Sequence, residues 1–360
     1  MNWRWKLGRL AGIDVYMHWT FLLLLGYVGI TDLQESGSLV AAAKGVALVV
    51  AVFVCVVLHE YGHALTARHY GIPTRDITLL PIGGVARLER MPDDPRQELW
   101  VALAGPAVNV AIAGLLAAIL VPLGVAYQIP EGVLQAPFLL TLLAINIGLV
   151  IFNMLPAFPM DGGRVLRALL AHRLDYGRAT EIAARVGQGM AILFGIAGFF
   201  GNPMLILIAV FVFFGAAAEA RNVRSRLMMT GVPVRDAMNP RPLTIPPDAT
   251  LLQVADHLIS GPQRDFPVVV EDRLLGMLRR DELMHALNHG RAGTYVGENL
   301  TGNGEAADEA EMLDRVLERM GERGITSMPV TQEGRFVGLL TPESIGQFFS
   351  IRAAHRAGAG

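Results

Sequence analysis

One apolar stretch ends in two closely spaced histidines: residues 45–63 read GVALVVAVFVCVVLHEYGH. On a helix, residues four apart lie on one face in adjacent turns, so His59 and His63 are expected to point the same way. Two imidazoles at this spacing can share one zinc ion, and Glu60 between them can take a proton from the attacking water. In a helix this apolar, the pattern favours hydrolysis of a peptide bond within or beside the bilayer.

A structural alternative for the same residues is a helix end at the membrane interface, where His, Glu and Tyr side chains meet the lipid headgroups. A charge at the bilayer centre costs about 2.5 kcal/mol or more, so ionisable side chains at membrane depth usually mark function. This cost favours a chemical role for His59, Glu60 and His63.

The composition divides the chain into two parts. Hydrophobic residues make up 52% of the chain and charged residues 17%, and the long apolar runs all precede residue 226. We therefore expect a membrane domain at 1–225, a globular domain at 226–350 and a disordered tail at 351–360. The net charge of −2 gives no indication of nucleic acid as a partner, and the single cysteine, Cys55, excludes an internal disulfide.

Six membrane spans are predicted from the length of the apolar runs, the first of them a retained helix and not a cleaved signal peptide. They lie at residues 18–30, 39–66, 98–126, 135–156, 184–200 and 203–220. Basic residues cluster before the first span and after the second, fourth and sixth spans. Because such clusters favour the cytoplasmic side, we expect a multi-pass protein of the cell membrane, in contact with lipid, with both termini in the cytoplasm.

A catalytic zinc site needs a third protein ligand, and Asp161 is the candidate. It belongs to the segment NMLPAFPMDGGR at residues 153–164, whose two prolines break the preceding helix. Asp161 is equally compatible with an ordinary N-cap of a helix that begins near Arg164. The spacing alone leaves both roles open.

At these residues the chain resembles the site-2 protease family of intramembrane zinc metalloproteases. The resemblance covers roughly residues 5–225 and rests on HEYGH at 59–63 and on the 153–164 segment. It is extended by PIGGV at 81–85, by AGP at 104–106 with Asn109, and by Gly12-Ile13 and His18-Trp19.

The resemblance implies roles for individual residues. His59, His63 and Asp161 would be the zinc ligands and Glu60 the general base. Asn153 would lie near the scissile bond, where it would hydrogen-bond the substrate or the oxyanion. The resemblance also raises Asn109 to a supporting role, although the 104–109 segment at the expected start of the third helix is otherwise typical of close helix packing.

The glycine pair near residue 83 has two interpretations. Gly83, Gly84 and Val85 can lie on an exposed strand edge that captures an extended substrate by β-addition. The alternative is a simple glycine turn in a cytoplasmic loop. Substrate capture is the interpretation that suits a protease, because a helical substrate must unwind before its peptide bonds become accessible.

The region after residue 226 contains one unit twice, built from short strands and amphipathic helices. The segments FPVVV at 266–270 and SMPVT at 327–331 correspond. This part resembles a tandem pair of CBS domains, an α/β module, at 232–290 and 294–350.

CBS pairs often bind adenine nucleotides through a Thr or Ser followed three residues later by Asp. The first repeat has Arg279 to Glu282 there, without the hydroxyl, and the second has Thr341 to Ser344, without the acid. We expect a cytoplasmic regulatory or dimerising module, with ATP or AMP as its candidate ligand.

The sequence thus predicts a polytopic α-helical membrane domain followed by a cytoplasmic α/β tandem CBS module, similar to the sporulation-type branch of the family. The expected activity is zinc-dependent hydrolysis of single-pass membrane proteins near the cytoplasmic face. The alternative is a CBS-gated metal or ion transporter that uses the same ligands. Glu60 distinguishes them, because a hydrolase needs a base and a transporter does not.

Overall fold

The computed structural model describes residues 4–81, 83–89, 92, 94–124, 137–300 and 305–358. The chain divides into two compact units at residue 223, with residues 1–223 in the first and 224–360 in the second. This division lies two residues before the expected end of the membrane domain.

The described part of the first unit begins with a β-hairpin and continues into a mainly helical region. In chain order its elements are β1 (Arg4–Leu10), β2 (Ile13–His18), α1 (Thr20–Ser36), α2 (Leu39–His69), β3 (Thr74–Leu80), β4 (Gly83–Leu88), α3 (Pro95–Leu120), α4 (Phe138–Asn153), α5 (Asp161–Ala171), α6 (Tyr176–Phe200) and α7 (Met204–Met229).

Four of these helices, α2, α3, α6 and α7, are long and apolar enough to cross a membrane. Helix α4 is apolar but has only 16 residues, and α1 has 17 residues and includes Asp32 and Glu35. Residues 125–136, part of two predicted spans, lie outside the described residues. The polytopic helical architecture is confirmed, and the number of six spans stays a prediction.

A four-stranded sheet is formed by two strands before α2 and two strands after it, and the sequence patterns anticipated only the last of them, as an edge strand at Gly83, Gly84 and Val85. Positive φ angles at Ala11 and Gly12 make the two-residue turn that joins β1 to β2. The strand order is β1-β2-β3-β4, with β2 and β3 parallel and the other pairs antiparallel. Ile13 and Ile77 pack with Tyr61 in one buried cluster, so the sheet covers the helix that carries HEYGH.

The second unit confirms the repeated strand and helix pattern. After α8 (Val234–Ala237), its elements are α9 (Leu251–Ser260), β5 (Phe266–Val270), β6 (Arg273–Leu278), α10 (Arg280–Asn288), a 3-10 helix (Val296–Asn299), β7 (Ala307–Asp308), α11 (Leu313–Arg323), β8 (Met328–Gln332), β9 (Arg335–Leu340) and α12 (Pro342–Gly358). The hairpins β5–β6 and β8–β9 have corresponding registers and an irregularity at the same position.

The two repeats exchange their leading segments. Val232 and Val234 are buried in the core of the second repeat, with Leu313 and Val330. Val296 is buried in the core of the first repeat. Each structural repeat therefore combines non-contiguous segments, which differs from the contiguous bounds 232–290 and 294–350 expected from the sequence.

The predicted disordered tail at 351–360 is wrong for the residues that the structure describes. Helix α12 continues from Pro342 to Gly358. Its start is set by the proline, which is compatible with the first turn of a helix because it needs no N–H partner there. The last two residues of the chain lie outside the described residues.

Candidate metal centre

The two histidines occupy the C-terminal third of helix α2, on the face turned toward the protein interior. His59 is 6% exposed and His63 is 4% exposed. Between them, the Tyr61 hydroxyl donates to the backbone carbonyl of Leu10 at 2.9 Å. The β1–β2 turn therefore holds this part of α2 in place from the outside.

Three side chains from two helices converge at one point. The His59 and His63 Nε2 atoms lie 3.1 Å apart. The Asp161 Oδ2 atom lies 3.2 Å from His59 Nε2 and 3.1 Å from His63 Nε2. No other group of three His, Cys, Asp or Glu side chains in the described residues has this geometry.

The hydrogen bonds behind the imidazoles show that this cluster suits a metal ion. His63 Nδ1 lies 2.7 Å from the carbonyl of Val101, an acceptor, so Nδ1 carries the proton and Nε2 has a free lone pair. His59 Nδ1 lies 2.5 Å from Asn109 Oδ1. With His59 in the same tautomer, three electron-pair donors face one another without a proton between them, and a cation removes that repulsion.

The size of the triangle fits zinc. At ligand distances of about 2.0–2.1 Å, neighbouring ligand atoms of a tetrahedral zinc site are about 3.3 Å apart. The three distances of 3.1–3.2 Å are close to this value. A His-His-carboxylate set leaves the fourth position for water or substrate, as in catalytic zinc sites.

The Asp161 carboxylate does not act as a helix cap, one of the two roles that the spacing left open. Met160 occupies the N-cap position, and Asp161 is the first residue of α5, three residues earlier than the expected start near Arg164. Gly162 permits this geometry, because a Cβ atom there would lie 2.2 Å from the carbonyl oxygen of Leu155. The tight turn before α5 thus directs Asp161 to the histidines.

Helix α3 approaches the histidines with its backbone. A Cβ atom on Gly105 would lie 2.2 Å from His63 Nε2 and 2.7 Å from His59 Nε2. Gly105 lies in the middle of α3, which begins at Pro95, and not at the start of the helix as expected. Its lack of a side chain leaves the room that the two imidazoles occupy.

The Glu60 carboxylate faces the sheet. Its Oε2 atom accepts a hydrogen bond from the backbone N–H of Ala86, on β4, at 3.1 Å. A Cβ atom on Gly84 would lie 2.8 Å from Glu60 Cγ. The base candidate and the glycine-rich strand are therefore neighbours.

The residues Gly83, Gly84 and Val85 lie on an edge strand, as one of their two interpretations required. β4 pairs with β3 on one side, and it ends the sheet order in the described part of the chain. In an antiparallel ladder, alternate residues direct their N–H and C=O groups away from the partner strand. Because the Ala86 N–H bonds to Glu60, the outward edge of β4 at Ala86 lies beside the base candidate.

Asn153 is the last residue of α4 and is half-buried. Among the described residues its side chain forms no hydrogen bond. It is separated from Asp161 by the irregular segment 154–160.

Two groups of residues were missed by the sequence interpretation. Asn146 on α4 is fully buried and accepts a hydrogen bond from Asn109 at 2.9 Å. The fully buried Arg167 on α5 bonds Glu98 on α3 and Glu219 on α7 at 2.5–2.7 Å. A polar residue in an otherwise apolar helix is a signal that would have found Asn146.

Comparison with known proteins agrees with this geometry. The model of peptidase family M50 matches residues 47–136 and 122–194, and the CBS domain model matches 234–289 and 306–347. The zinc metalloprotease MJ0392 of Methanocaldococcus jannaschii is 36% identical over 280 residues, which cover 77% of this chain and 78% of that protein. Stage IV sporulation protein FB of Bacillus subtilis is 25% identical over 240 residues, 64% of this chain and 80% of that protein.

Solved structures are also similar to parts of this chain. The site-2 protease from Methanocaldococcus jannaschii is 37% identical and covers 60% of this chain and 95% of its own, with a TM-score of 0.45. The conclusion about the family rests on the matched family models, on the 36% identity to MJ0392 over most of both chains and on the His-His-Asp cluster. The chain belongs to peptidase family M50, the multi-pass membrane zinc metalloproteases of the site-2 protease type, and carries a CBS domain pair.

Proposed function

We propose that this protein is an intramembrane endopeptidase that cleaves single-pass membrane proteins near the cytoplasmic face. The observation that carries the proposal is the convergence of His59, His63 and Asp161 within a helical domain that is apolar enough to span the bilayer. We assign these three side chains as the zinc ligands.

Glu60 is assigned as the general base. When bound, zinc supplies a water molecule of lowered pKa and a Lewis acid for the substrate carbonyl. Glu60 is adjacent to His59 in the chain, and among the described residues its carboxylate accepts a hydrogen bond only from the backbone N–H of Ala86, so it is available to accept a proton. It then returns the proton to the leaving amine.

We assign Gly83, Gly84 and Val85 to substrate capture. A substrate strand can add to the free edge of β4, where backbone hydrogen bonds recognise an extended chain without regard to its side chains. The contact between Ala86 and Glu60 supports this assignment, because a peptide on this edge would lie beside the base. The Val85 side chain is 45% exposed and is available for contact with the substrate.

Asn153 is assigned to the substrate or the oxyanion. Its side chain has no hydrogen-bond partner among the described residues, which leaves its amide for an incoming ligand. A donor that meets the oxyanion is worth a factor of about 10²–10³ in kcat. The basic clusters after the second, fourth and sixth predicted spans support cytoplasmic termini and a site that opens toward the cytoplasm.

We propose that the CBS pair regulates the protease or joins two copies of it, and that it responds to ATP or AMP. A cleft of about 1270 Å³ lies within the second unit, and Arg279, Arg280 and Thr341 are among its lining residues. The residues at the two nucleotide-signature positions hydrogen-bond within their own segments: Glu282 accepts from the Arg279 N–H at 3.1 Å, and the Ser344 N–H donates to Thr341 Oγ1 at 3.2 Å. A nucleotide would therefore bind through contacts other than the usual Thr or Ser and Asp pair.

Nucleotide binding is tested by thermal unfolding of the full chain with and without millimolar ATP or AMP. A nucleotide present at 100 times its Kd should stabilise the cytoplasmic unit by about 2.7 kcal/mol. The stabilisation should be smaller in Arg280→Ala, on the cleft, than in Arg315→Ala, an exposed position outside it. Unchanged unfolding with both nucleotides would contradict the proposal.

The proteolytic function is tested with tagged single-pass proteins in reconstituted membranes. The wild type should cleave at least one of them, and Glu60→Gln at equal zinc content should cleave none. Equal cleavage by both proteins would rule out Glu60 as the base. Zinc flux across the membrane, retained in Glu60→Gln without any cleavage, would instead favour the transporter alternative, which family membership disfavours.

A further inference from the structure

Behind His59, a chain of three hydrogen bonds runs away from the metal centre through the apolar interior. Asn109 Oδ1 lies 2.5 Å from His59 Nδ1, and the Asn109 amide donates to Asn146 Oδ1 at 2.9 Å. The Asn146 amide in turn donates to the backbone carbonyl of Leu142 at 2.9 Å. Both asparagines are fully buried, so water is not their alternative partner.

The carbonyl of Leu142 fixes the direction of the whole chain. A carbonyl oxygen only accepts, so the Asn146 group that faces it must be the NH₂ group. The Asn146 oxygen then faces Asn109, and the Asn109 NH₂ group donates a hydrogen bond to it. The Asn109 oxygen is left facing His59, and this acceptor requires the proton of the imidazole to be on Nδ1.

The two histidines thus obtain the same tautomer in different ways. His63 Nδ1 faces the carbonyl of Val101 directly, and a carbonyl has one orientation. His59 faces a side-chain amide, which could rotate and offer its NH₂ group instead. Rotation would stabilise the tautomer that carries the proton on Nε2 and would remove the lone pair that a metal needs.

We propose that Asn146 is a positioning residue for the metal centre, which locks Asn109 in the orientation that keeps the Nε2 lone pair of His59 available. The proposal rests on the assignment of His59 as a metal ligand. Asn146 touches neither metal nor substrate, and it acts on the site only through Asn109. Cys55 and Leu142, which both accept from the Asn146 amide, belong with Leu116 to a buried hydrophobic cluster, so packing alone does not call for an amide.

The test is zinc affinity of the purified full chain, measured by competition with a chelator of known affinity. Loss of a partner behind a metal-bound histidine typically costs 10–100-fold in affinity, and we expect a loss of about this size for Asn146→Leu. Asn146→Ala repeats the test with a smaller side chain in case the leucine variant does not fold. Cys55→Ala is the matched control, since its sulfur is 3.5 Å from the Asn146 amide but outside the chain to His59.

A double-mutant cycle separates positioning from a general effect on stability. If Asn146 acts through Asn109, then Asn146→Leu should change zinc affinity little in an Asn109→Ala background. A wild-type affinity for Asn146→Leu, or a full additional loss in the Asn109→Ala background, would overturn the proposal. The zinc affinity of His59→Ala is measured in the same experiment. If His59→Ala loses affinity and Asn146→Leu does not, the positioning role of Asn146 is rejected but His59 remains a ligand. If His59→Ala keeps the wild-type affinity, the ligand assignment of His59 is rejected as well.

Discussion

Glu60 and Ala86 are joined by a hydrogen bond in which the Ala86 N–H donates to Glu60 Oε2 at 3.1 Å. The same N–H faces the free edge of β4, where we assign the substrate. An extended peptide that pairs fully with this edge needs the Ala86 N–H for itself. We therefore expect substrate docking to replace the Glu60 contact, so that the base is released as the peptide bond arrives.

Ala86→Pro removes this N–H without disturbing the ladder between β3 and β4, because proline is tolerated where the N–H points away from the partner strand. A lost backbone hydrogen bond is worth about 1 kcal/mol, so kcat/KM should fall about fivefold, with zinc affinity unchanged. Ala86→Ser keeps the N–H and is the matched control. Equal kcat/KM values in reconstituted membranes for the two variants would exclude a role for this donor.

Gly105→Ala should prevent metal binding. The added Cβ atom would lie 2.2 Å from His63 Nε2, a distance that the packed helices α2 and α3 cannot absorb without separating the ligands. Zinc content of the purified protein, measured by mass spectrometry, should fall to background. Gly114→Ala on the same helix meets open space and should retain zinc. Zinc retained at the wild-type level in Gly105→Ala would contradict the geometry of the site.

The convergence of the two candidate histidine ligands was predictable from the sequence for a local reason. His59 and His63 are four residues apart on a helix, so their shared face follows from helix geometry alone. Asp161 is 98 residues beyond His63, and its spacing fitted a helix cap as well as a ligand. The family resemblance implied a ligand role, and the turn at Gly162 places the Asp161 carboxylate beside the two histidines.

Other features depend on contacts between distant segments. The β1–β2 hairpin was missed because its basic residues were interpreted as a topology signal. The CBS repeats exchange their leading segments, so that Val234 lies in the core of the second repeat and Val296 in the core of the first. A repeat pattern along the sequence does not predict such an exchange, because it assigns each segment to the repeat in which it occurs. Asn146 belongs to no recognised motif, and its role is inferred from its hydrogen bonds to Asn109 and to the carbonyl of Leu142.

Arg167→Met should destabilise the membrane domain. Arg167 bonds Glu98 and Glu219 and is itself fully buried, so its loss leaves a buried carboxylate without its partner. Breaking a buried ion pair from one side costs about 3–5 kcal/mol. Adding Glu98→Gln should recover part of this loss, since it removes the orphaned charge.

The measurement for Arg167 is unfolding of the purified protein in mixed micelles. Arg185→Met is the control, because Arg185 pairs with Glu181 on an exposed helix face, where such pairs contribute about 0.3–0.5 kcal/mol. Equal destabilisation by the two substitutions would show that the buried cluster does not hold α3, α5 and α7 together.

Asp265→Asn should weaken the CBS pair at the junction of its repeats. The Asp265 carboxylate is 8% exposed and accepts hydrogen bonds from the Ser327 hydroxyl at 2.5 Å, the Thr326 hydroxyl at 3.1 Å and the Arg280 N–H at 3.0 Å. An amide can accept only through its oxygen, so at least one donor loses its partner, at a cost of about 1–3 kcal/mol. Hydrogen exchange of the full chain should show faster exchange in β5 and β8. Glu318→Gln, an exposed charge removal in α11, should leave the exchange of both strands unchanged, and equal rates in the two variants would refute this junction.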